Sequence, residues 1–230
     1  RPVALYAYGH VDRLERPAVS ILARAPIEAA PFEAVQAVAR RLAAAGTPLV
    51  MGMGHGVDVA VQKVALAGAP PIAVVGCGLG RMERSLRPAA TALVRAGGLL
   101  LSPFAMGHGP FDHDDRERAL VQAALGEAVC VGAPPADSSE DRAAAWAFEA
   151  GLPVARVGEY YWQAGELASS LPGRLDTAVR YYTKTVVETP SSGRAYQALD
   201  RLRDLAAEFP EANIELPEFR FGRSAVTAAD

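Results

Sequence analysis

The sequence predicts an α/β fold with a doubly wound, mostly parallel, Rossmann-like sheet, followed by an all-helical C-terminal extension. Three observations support this. Short apolar runs alternate with helical patterns over residues 1–157. Two of these runs end in alternating glycines, at Gly52-Met53-Gly54-His55-Gly56 and at Gly76-Cys77-Gly78. Beyond residue 157 only helical patterns remain, so we assign residues 1–157 to the α/β domain and residues 158–230 to the extension.

Six strands are expected where short apolar runs are bounded by glycine, proline or polar residues. They are Ala18–Leu22, Pro48–Met51, Pro71–Val75, Gly98–Leu101, Ala128–Val131 and Pro153–Arg156. Strand–helix–strand units of this length connect parallel neighbours by crossovers. Such a sheet is covered by helices on both faces, and ligands collect at the carboxyl ends of its strands, beside the point where the strand order reverses.

Five helices are expected between these strands. They are Pro31–Ala45, Val57–Ala67, Leu86–Ala96, Arg116–Leu125 and Ser139–Ala150. The first shows the pattern most clearly, because Phe32, Val35, Val38 and Leu42 recur at helical spacing before Gly46 ends it.

The two glycine loops are the candidate ligand-binding feature of the domain. Each follows a strand, and the first leads directly into a helix, where backbone N–H groups uncovered by side chains suit a phosphate. The candidate residues are Gly52, Gly54 and Gly56 in the first loop, and Gly76 and Gly78 in the second. The alternative is a tight turn in which the glycines only relieve crowding.

The charge distribution limits how the protein could bind a nucleic acid. The formal net charge is −3, which argues against a general nucleic-acid coat. Residues 1–157 carry 15 Lys and Arg against 15 Asp and Glu, whereas residues 158–230 carry 8 against 11. A role in binding DNA therefore requires a local cationic patch.

The cysteines and the hydropathy pattern indicate the compartment. Cys77 and Cys130 lie in apolar, strand-like surroundings, which is typical of buried reduced thiols rather than of a disulfide framework. We expect a cytoplasmic protein. No signal-peptide pattern opens the sequence and no apolar run approaches the roughly 20 residues that span a bilayer, so we expect no membrane partner.

The extension weakly resembles a tetratricopeptide repeat. Trp162, Ala178, Tyr182 and Pro190 follow one another at offsets of 16, 4 and 8 residues, as in that repeat. Glu166 and Ser169 replace the expected glycine and tyrosine, and plain helices packed on a neighbour would give the same pattern. A further helix, Gly193–Phe209, carries Tyr196, Leu199, Leu202 and Leu205 on one face, and an irregular arm begins at Glu211. We expect these helices to pack on the α/β domain, on a second copy or on a protein partner.

The order and spacing of several segments resemble the DNA-processing protein A (DprA/Smf) family, a Rossmann-like branch of a larger nucleotide-binding superfamily. In both this chain and the family, these segments occupy the same positions relative to the strands and the glycine loops. They are Leu5–Gly9, Arg16-Pro17, Gly52–Asp58, Lys63, Ala65-Leu66, Ile72–Leu79, Gly97–Ser102 and Arg116–Arg118.

The resemblance implies a domain that binds single-stranded DNA or a nucleotide at the glycine loops, dimerises, and acts in DNA uptake or recombination without a cofactor. Carried over by position, the ligand-binding residues would be Arg24, His55, Lys63, Arg116 and Arg118 together with the loop glycines. The chemistry agrees, because arginine is a planar donor fork suited to phosphate.

Several residues depart from the family pattern. Met51 and His55 stand where the family has serine and arginine, Gln62 replaces a histidine and Glu117 replaces an asparagine. The usual acidic residue after the second loop is replaced by Gly80, and carboxylates are concentrated within 137–141. Carboxylates near a phosphate repel it, so the sequence predicts weakened phosphate binding.

Other interpretations of the same residues remain open. His55 could bond to backbone at the helix end, and Arg116 and Arg118 could pair with neighbouring carboxylates on a solvated helix. The pocket could serve a nucleotide-sensing or nucleotide-cleaving enzyme. It could also be a relic on a scaffold whose helical tail binds partners. No activated nucleophile is apparent, and the Pro-Gly-Gly-x-Gly-Thr-x-x-Glu loop of the related phosphoribohydrolases is missing, so we expect no catalytic residue.

The segment between His108 and Asp115 has a composition that suits divalent ions. Its spacing matches no closed metal site, and Asp114 or Asp115 is suited to cap the following helix. The sequence therefore predicts no metal site.

Overall fold

The computed structural model describes residues 4–24, 27, 29–135, 137–157, 160–188 and 193–218. These residues divide into two compact units, with the boundary after Val157. Among the described residues, no helix combines the length and the apolarity that crossing a bilayer would need.

The first unit is built on a seven-stranded sheet. Its strands are β1 Tyr6–Gly9, β2 Val19–Leu22, β3 Leu49–Gly52, β4 Ile72–Val74, β5 Leu99–Ser102, β6 Ala128–Gly132 and β7 Val154–Val157. They lie in the order β1-β5-β4-β3-β2-β6-β7, and all neighbours are parallel except the β1–β5 pair. The chain thus proceeds outward from β2 to β5 and returns to the other side of β2 as β6. The strand order reverses between β2 and β6.

Helices cover both faces of this sheet, which confirms the predicted fold class. They are α1 Ala29–Ala44, α2 Val57–Ala65, α3 Arg87–Arg95, α4 Asp114–Ala124 and α5 Ser139–Glu149. Alternate strand residues supply the two layers: Met51 packs with α1, α2 and α3, whereas Leu22 packs with α4 and α5. Because the strands are buried on both faces, they appear in the sequence as continuous apolar runs.

Strand β1 was not predicted from the sequence. Every one of its residues is exposed, and it pairs antiparallel with β5 at the sheet edge, from Tyr6 opposite Ser102 to Gly9 opposite Leu99. An exposed edge strand lacks a buried face, so no apolar pattern marks it. Helix α4 begins at Asp114, two residues before the predicted start, and its N-cap residue is His113 rather than Asp114 or Asp115.

The described residues of the second unit form three α-helices, α6 Tyr160–Ser169, α7 Leu175–Glu188 and α8 Gly193–Glu208. They form their own core around Tyr182, whose ring lies 5.5 Å from that of Trp162. Leu199 and Leu202 of α8 are buried in this core, whereas Tyr196 is 38% exposed. Pro190, the last position of the repeat-like pattern, lies outside the described residues.

Candidate functional site

A cavity of about 440 Å³ opens at the carboxyl ends of β2, β3 and β4. The segments that follow these strands form its walls, together with the start of α4 and the first turn of α5. Of the predicted ligand residues, it is lined by Arg24, Gly54, His55, Gly76 and Arg118. It lies beside the reversal of strand order, where a ligand site is expected in this class of fold.

The first glycine loop is closed by its own helix. Gly56 is the N-cap of α2 with φ +69°, and the backbone N–H of Gly54 donates to the carboxylate of Asp58. A Cβ on Gly52 would lie 2.5 Å from Asp58 Oδ2 and 2.8 Å from Arg118 Nη1. Gly52 is therefore needed because a carboxylate and a guanidinium of the protein lie against its backbone.

Arg118 occupies the floor of the cavity in a buried network. Its guanidinium donates to Glu140 Oε1 at 2.6 Å, to Gln122 Oε1 at 2.9 Å and to Asp115 Oδ1 at 3.4 Å. Glu140 is fully buried. Desolvation is the largest single influence and lowers the pKa of Arg118, but the carboxylates of Asp58, Glu140 and Asp115 together raise it by more, so the guanidinium stays charged.

Arg24 is the second cation of the cavity, and it is also paired. Its Nη1 lies 2.9 Å from Asp115 Oδ2 and 3.7 Å from Glu140 Oε2. Five carboxylates face two guanidinium groups in the cavity lining; they are Asp58, Glu83, Asp112, Asp115 and Glu140. The interior is therefore acidic, and a phosphate placed inside would meet net repulsion.

His55 lies at the mouth of the cavity with an acidic partner. Its Nε2 is 3.2 Å from Glu83 Oε2, and both side chains are exposed. The contact with His55 holds the pKa of Glu83 below its ordinary value, and Ser85 adds a second hydrogen bond. The bond from His55 runs to a side chain rather than to the backbone at the helix end.

The second glycine loop has two different roles. Gly76 lines the cavity, where a Cβ would lie 3.5 Å from Arg118 Cδ. Gly78 lies outside it: its N–H donates to His108 O at 2.9 Å, and a Cβ there would overlap the carbonyl of Ala105. The need for a glycine at this position is therefore structural.

Two other predicted cations lie outside the lining of the cavity. Lys63 and Arg116 are exposed, and neither belongs to the cavity walls. Arg116 is next in the chain to the lining residue Asp115, however, and Arg84, which is also exposed, follows the lining residue Glu83. These two arginines have no ion-pair partner among the described residues, unlike Arg24 and Arg118.

The sequence did not single out Asp58 as a member of the site, and it indicated Glu140 only through the acidic stretch 137–141, which was expected to repel a phosphate. Glu140 shares helical spacing with the buried Ala143, Ala144 and Ala147, so its position on the inward face of α5 was detectable. Asp58 gave no comparable signal, because an acidic residue in the first turn of a helix is common.

Phe111 of the cavity lining belongs to a series of aromatic rings that continues outside the lining. Phe104 stacks on His108 at 4.5 Å, His108 contacts Phe111 edge-on at 5.1 Å, and Phe111 stacks on His113 at 5.5 Å. Phe111 lines the cavity and is 54% exposed. An exposed ring at the mouth of an acidic cavity is suited to stack on a planar ligand.

Asp58 gives the site a testable pH dependence. Desolvation raises its pKa from 3.8 to about 6, although Arg118 acts in the opposite direction. Because the folded-state pKa exceeds the unfolded value, the stabilisation is complete below about pH 4 and is lost as the pH rises through about 6. We expect the free energy of unfolding to fall by on the order of 3 kcal/mol across this window.

The measurement is urea denaturation between pH 4 and pH 8, with Asp58→Asn as the matched variant. The amide cannot ionise, so the difference in stability between variant and wild type should grow with pH. A constant difference across the window would contradict the proposed titration of Asp58.

Comparison with known proteins agrees with the resemblance seen in the sequence. The family model for DNA recombination-mediator protein A matches residues 1–171. DNA processing protein A from Streptococcus pneumoniae is 26% identical with a TM-score of 0.61, over 67% of this chain and 55% of that one. DNA processing protein A from Helicobacter pylori, whose structure addresses its single-stranded DNA binding mode, is 24% identical with a TM-score of 0.58. The match covers 67% of this chain and 72% of the Helicobacter pylori chain.

Comparison with curated proteins finds no match. The chain spans a little over half the length of the Streptococcus pneumoniae protein. The alternative of a nucleotide-cleaving enzyme is not favoured by these relatives. Because the matched segment covers the α/β unit with all its glycine loops, the chain belongs to the DNA recombination-mediator protein A family.

Proposed function

We propose that this protein binds single-stranded DNA at the mouth of the cavity and acts in DNA processing, in DNA uptake or recombination. The observation that carries the proposal is the family match over residues 1–171, which includes both glycine loops and the whole cavity lining. The relative from Helicobacter pylori, described for its single-stranded DNA binding mode, supports the choice of ligand.

The acidic interior determines where the phosphates would lie. Arg24 and Arg118 are already neutralised by carboxylates, so they offer little to an incoming anion. Arg84 and Arg116 are exposed and adjoin lining residues in the chain. We therefore place the phosphates on Arg84 and Arg116 outside the cavity, where water screens the buried carboxylates.

The cavity itself suits a base rather than a phosphate. Phe111 offers an exposed ring for stacking, and the carboxylates of Asp112 and Asp115 can accept hydrogen bonds from base amino groups. Stacking of a base on an aromatic side chain contributes about 1–3 kcal/mol and tolerates any sequence.

A second cavity of about 520 Å³ adjoins the first and offers space for further nucleotides of a longer DNA strand. It shares Met82 with the first cavity and is lined by Tyr8, Arg87 and Met106. Tyr8 is 63% exposed and gives this cavity a second aromatic surface. Successive nucleotides could therefore follow the path from Phe111 past Met82 to Tyr8.

The test measures binding of an oligothymidylate to the full chain as a function of salt. For single strands, each neutralised phosphate contributes about 0.7 to the slope of log K against log salt concentration. The double variant Arg84→Ala/Arg116→Ala should bind more weakly at low salt, with a slope reduced by about 1.4. Phe111→Leu should weaken binding without changing the slope.

The matched control is Arg95→Ala, which removes an exposed arginine at the far end of α3. It should leave both the affinity and the slope unchanged. Failure of the wild-type protein to bind at low salt, or equal effects of Arg95→Ala and of the double variant, would contradict the proposal.

We extend the proposal to assembly and location. The family resemblance suggests a homodimer. The repeat-like helices α6–α8 suggest a protein partner, because two apolar side chains of this unit are exposed: Leu171 after α6 at 49% and Val187 in α7 at 61%. Cys77 and Cys130 are both buried free thiols, which is consistent with a reducing compartment such as the cytoplasm. Light scattering of the full chain tests the dimer: a monomer mass at micromolar concentration would exclude it.

A further inference from the structure

The segment between β5 and α4 brings two imidazoles onto one carboxylate. His108 Nε2 lies 3.0 Å from Asp114 Oδ1, and His113 Nε2 lies 3.4 Å from the same oxygen. The ligand atoms of all three residues lie within 4.8 Å of one another, and within the described ranges no other trio of His, Cys, Asp or Glu does so. The close approach depends on the turn at residues 108–113, which spacing alone did not reveal.

We propose that His108, His113 and Asp114 bind a divalent transition-metal ion of the zinc class. Zinc bonds of about 2.0–2.1 Å in tetrahedral geometry place neighbouring ligand atoms about 3.3 Å apart. The separations of 3.0 and 3.4 Å at Asp114 Oδ1 fit two edges of such a tetrahedron. The side chain of His113 is 79% exposed, so an ion can reach the cluster from solvent.

The neighbours of these residues hold the ligand atoms in place. The ring of His108 stacks on Phe104, and the ring of His113 stacks on Phe111, each with an interplanar angle of 5°. Asp114 is 1% exposed, and its Oδ2 accepts the backbone N–H of Phe111 at 3.1 Å. Oδ1 is thereby left for the two imidazoles. Such outer contacts orient metal ligands and raise affinity.

A simple hydrogen-bonded pair explains this arrangement less well. A carboxylate oxygen can accept two hydrogen bonds, but the 3.4 Å contact of His113 with Asp114 Oδ1 is long for one, whereas a shared ion accounts for both imidazoles. Two imidazoles and one carboxylate suit Zn²⁺, Co²⁺ or Ni²⁺, whereas Mg²⁺ and Ca²⁺ prefer oxygen ligands throughout. Three protein ligands leave one coordination position open to water or to another donor.

The bound ion would fix the wall of the first cavity. The same segment supplies Phe111 and Asp112 to the lining, and His108 O accepts the N–H of Gly78 in the second glycine loop. Metal binding would therefore couple the order of this wall to the order of the glycine loop. The site does not require DNA, and its test contains none.

The experiment titrates the full chain, stripped with a chelator, with Co²⁺ followed by visible absorption and with Zn²⁺ followed by calorimetry. We expect one equivalent to bind, with Co²⁺ absorption of a low-coordinate site. His113→Ala removes an exposed ligand and should weaken binding by at least about tenfold, whereas His10→Ala should stay within about twofold of wild type. His10 is an exposed histidine outside the cluster and serves as the matched control.

Asp114→Asn provides a second test. It keeps an acceptor for the Phe111 N–H but removes the charge, so metal affinity should fall while circular dichroism confirms that the chain is folded. Absence of stoichiometric binding by wild type, or equal affinity of wild type and His113→Ala, would overturn the proposal. Neither result would bear on DNA binding, which is measured separately.

Discussion

Arg118→Ala should lower the free energy of unfolding by about 3–5 kcal/mol, because it leaves buried carboxylates without their counterion. Glu140 is fully buried, and its Oε1 receives the 2.6 Å hydrogen bond from Arg118. Its Oε2 has no hydrogen-bond partner among the described residues and lies 3.7 Å from Arg24. Since domains are stable by only about 5–15 kcal/mol, the loss would be a large part of the total.

Equilibrium urea denaturation at pH 7 measures this loss. Arg24→Ala is the matched control, because Arg24 contacts the same two carboxylates but is 41% exposed. Its removal should cost less than about 1 kcal/mol. Arg118→Lys keeps the charge without the planar fork and should fall between the two. Equal losses for Arg118→Ala and Arg24→Ala would contradict the importance of the buried pair.

Gly78→Ala should destabilise the α/β unit by about 3 kcal/mol, the upper part of the range for overpacking. Gly78 has φ −60° and ψ 142°, which any residue adopts, so the cost is steric and not conformational. The added methyl would overlap Ala105 O and lie 2.7 Å from the carbonyl carbon of Met106. Both are backbone atoms and cannot move aside without shifting the segment that carries His108.

Gly107→Ala is the matched control in the same segment, since a Cβ there meets no atom within 4 Å. It should change stability by no more than about 0.5 kcal/mol. In the Gly78→Ala variant, the backbone N–H at position 78 should exchange its hydrogen faster than in the wild type. The reason is that its hydrogen bond to His108 O is lost. If Gly78→Ala left stability unchanged but abolished DNA binding, the second loop would instead contact the ligand.

The predicted strands and glycine loops depend on local signals. A parallel strand that is buried on both faces needs a continuous apolar run, such as residues 128–131. Glycines are needed where two backbone segments approach each other closely, as at the glycine loops. The sheet, its helices and the position of the cavity were therefore predictable. Strand β1 was not, because an exposed edge strand is stabilised by pairing with β5 alone.

The balance of charge at the site could be predicted only in part from the sequence. Arg24 and Arg118 were predicted to contact a phosphate, with pairing of Arg118 to neighbouring carboxylates as the alternative, and the fold pairs both arginines with carboxylates. Conversely, Arg84 follows the lining residue Glu83 in the chain, but the sequence did not indicate it as a ligand-binding residue, because its neighbours match no motif. The balance of charge at a site depends on side chains from distant segments, which local spacing does not specify.

By itself, the sequence determined the family, the α/β architecture and the edge of the sheet at which a ligand would bind. The architecture follows from periodicity and glycine placement within short segments, and the family follows from the resemblance of the ordered motifs. Only the tertiary structure decided what fills that edge: Asp58 from α2, Arg118 from α4 and Glu140 from α5 meet there, as His108 and His113 meet on Asp114. Ion pairs and metal sites act over a few ångströms, and only the folded chain brings such atoms that close.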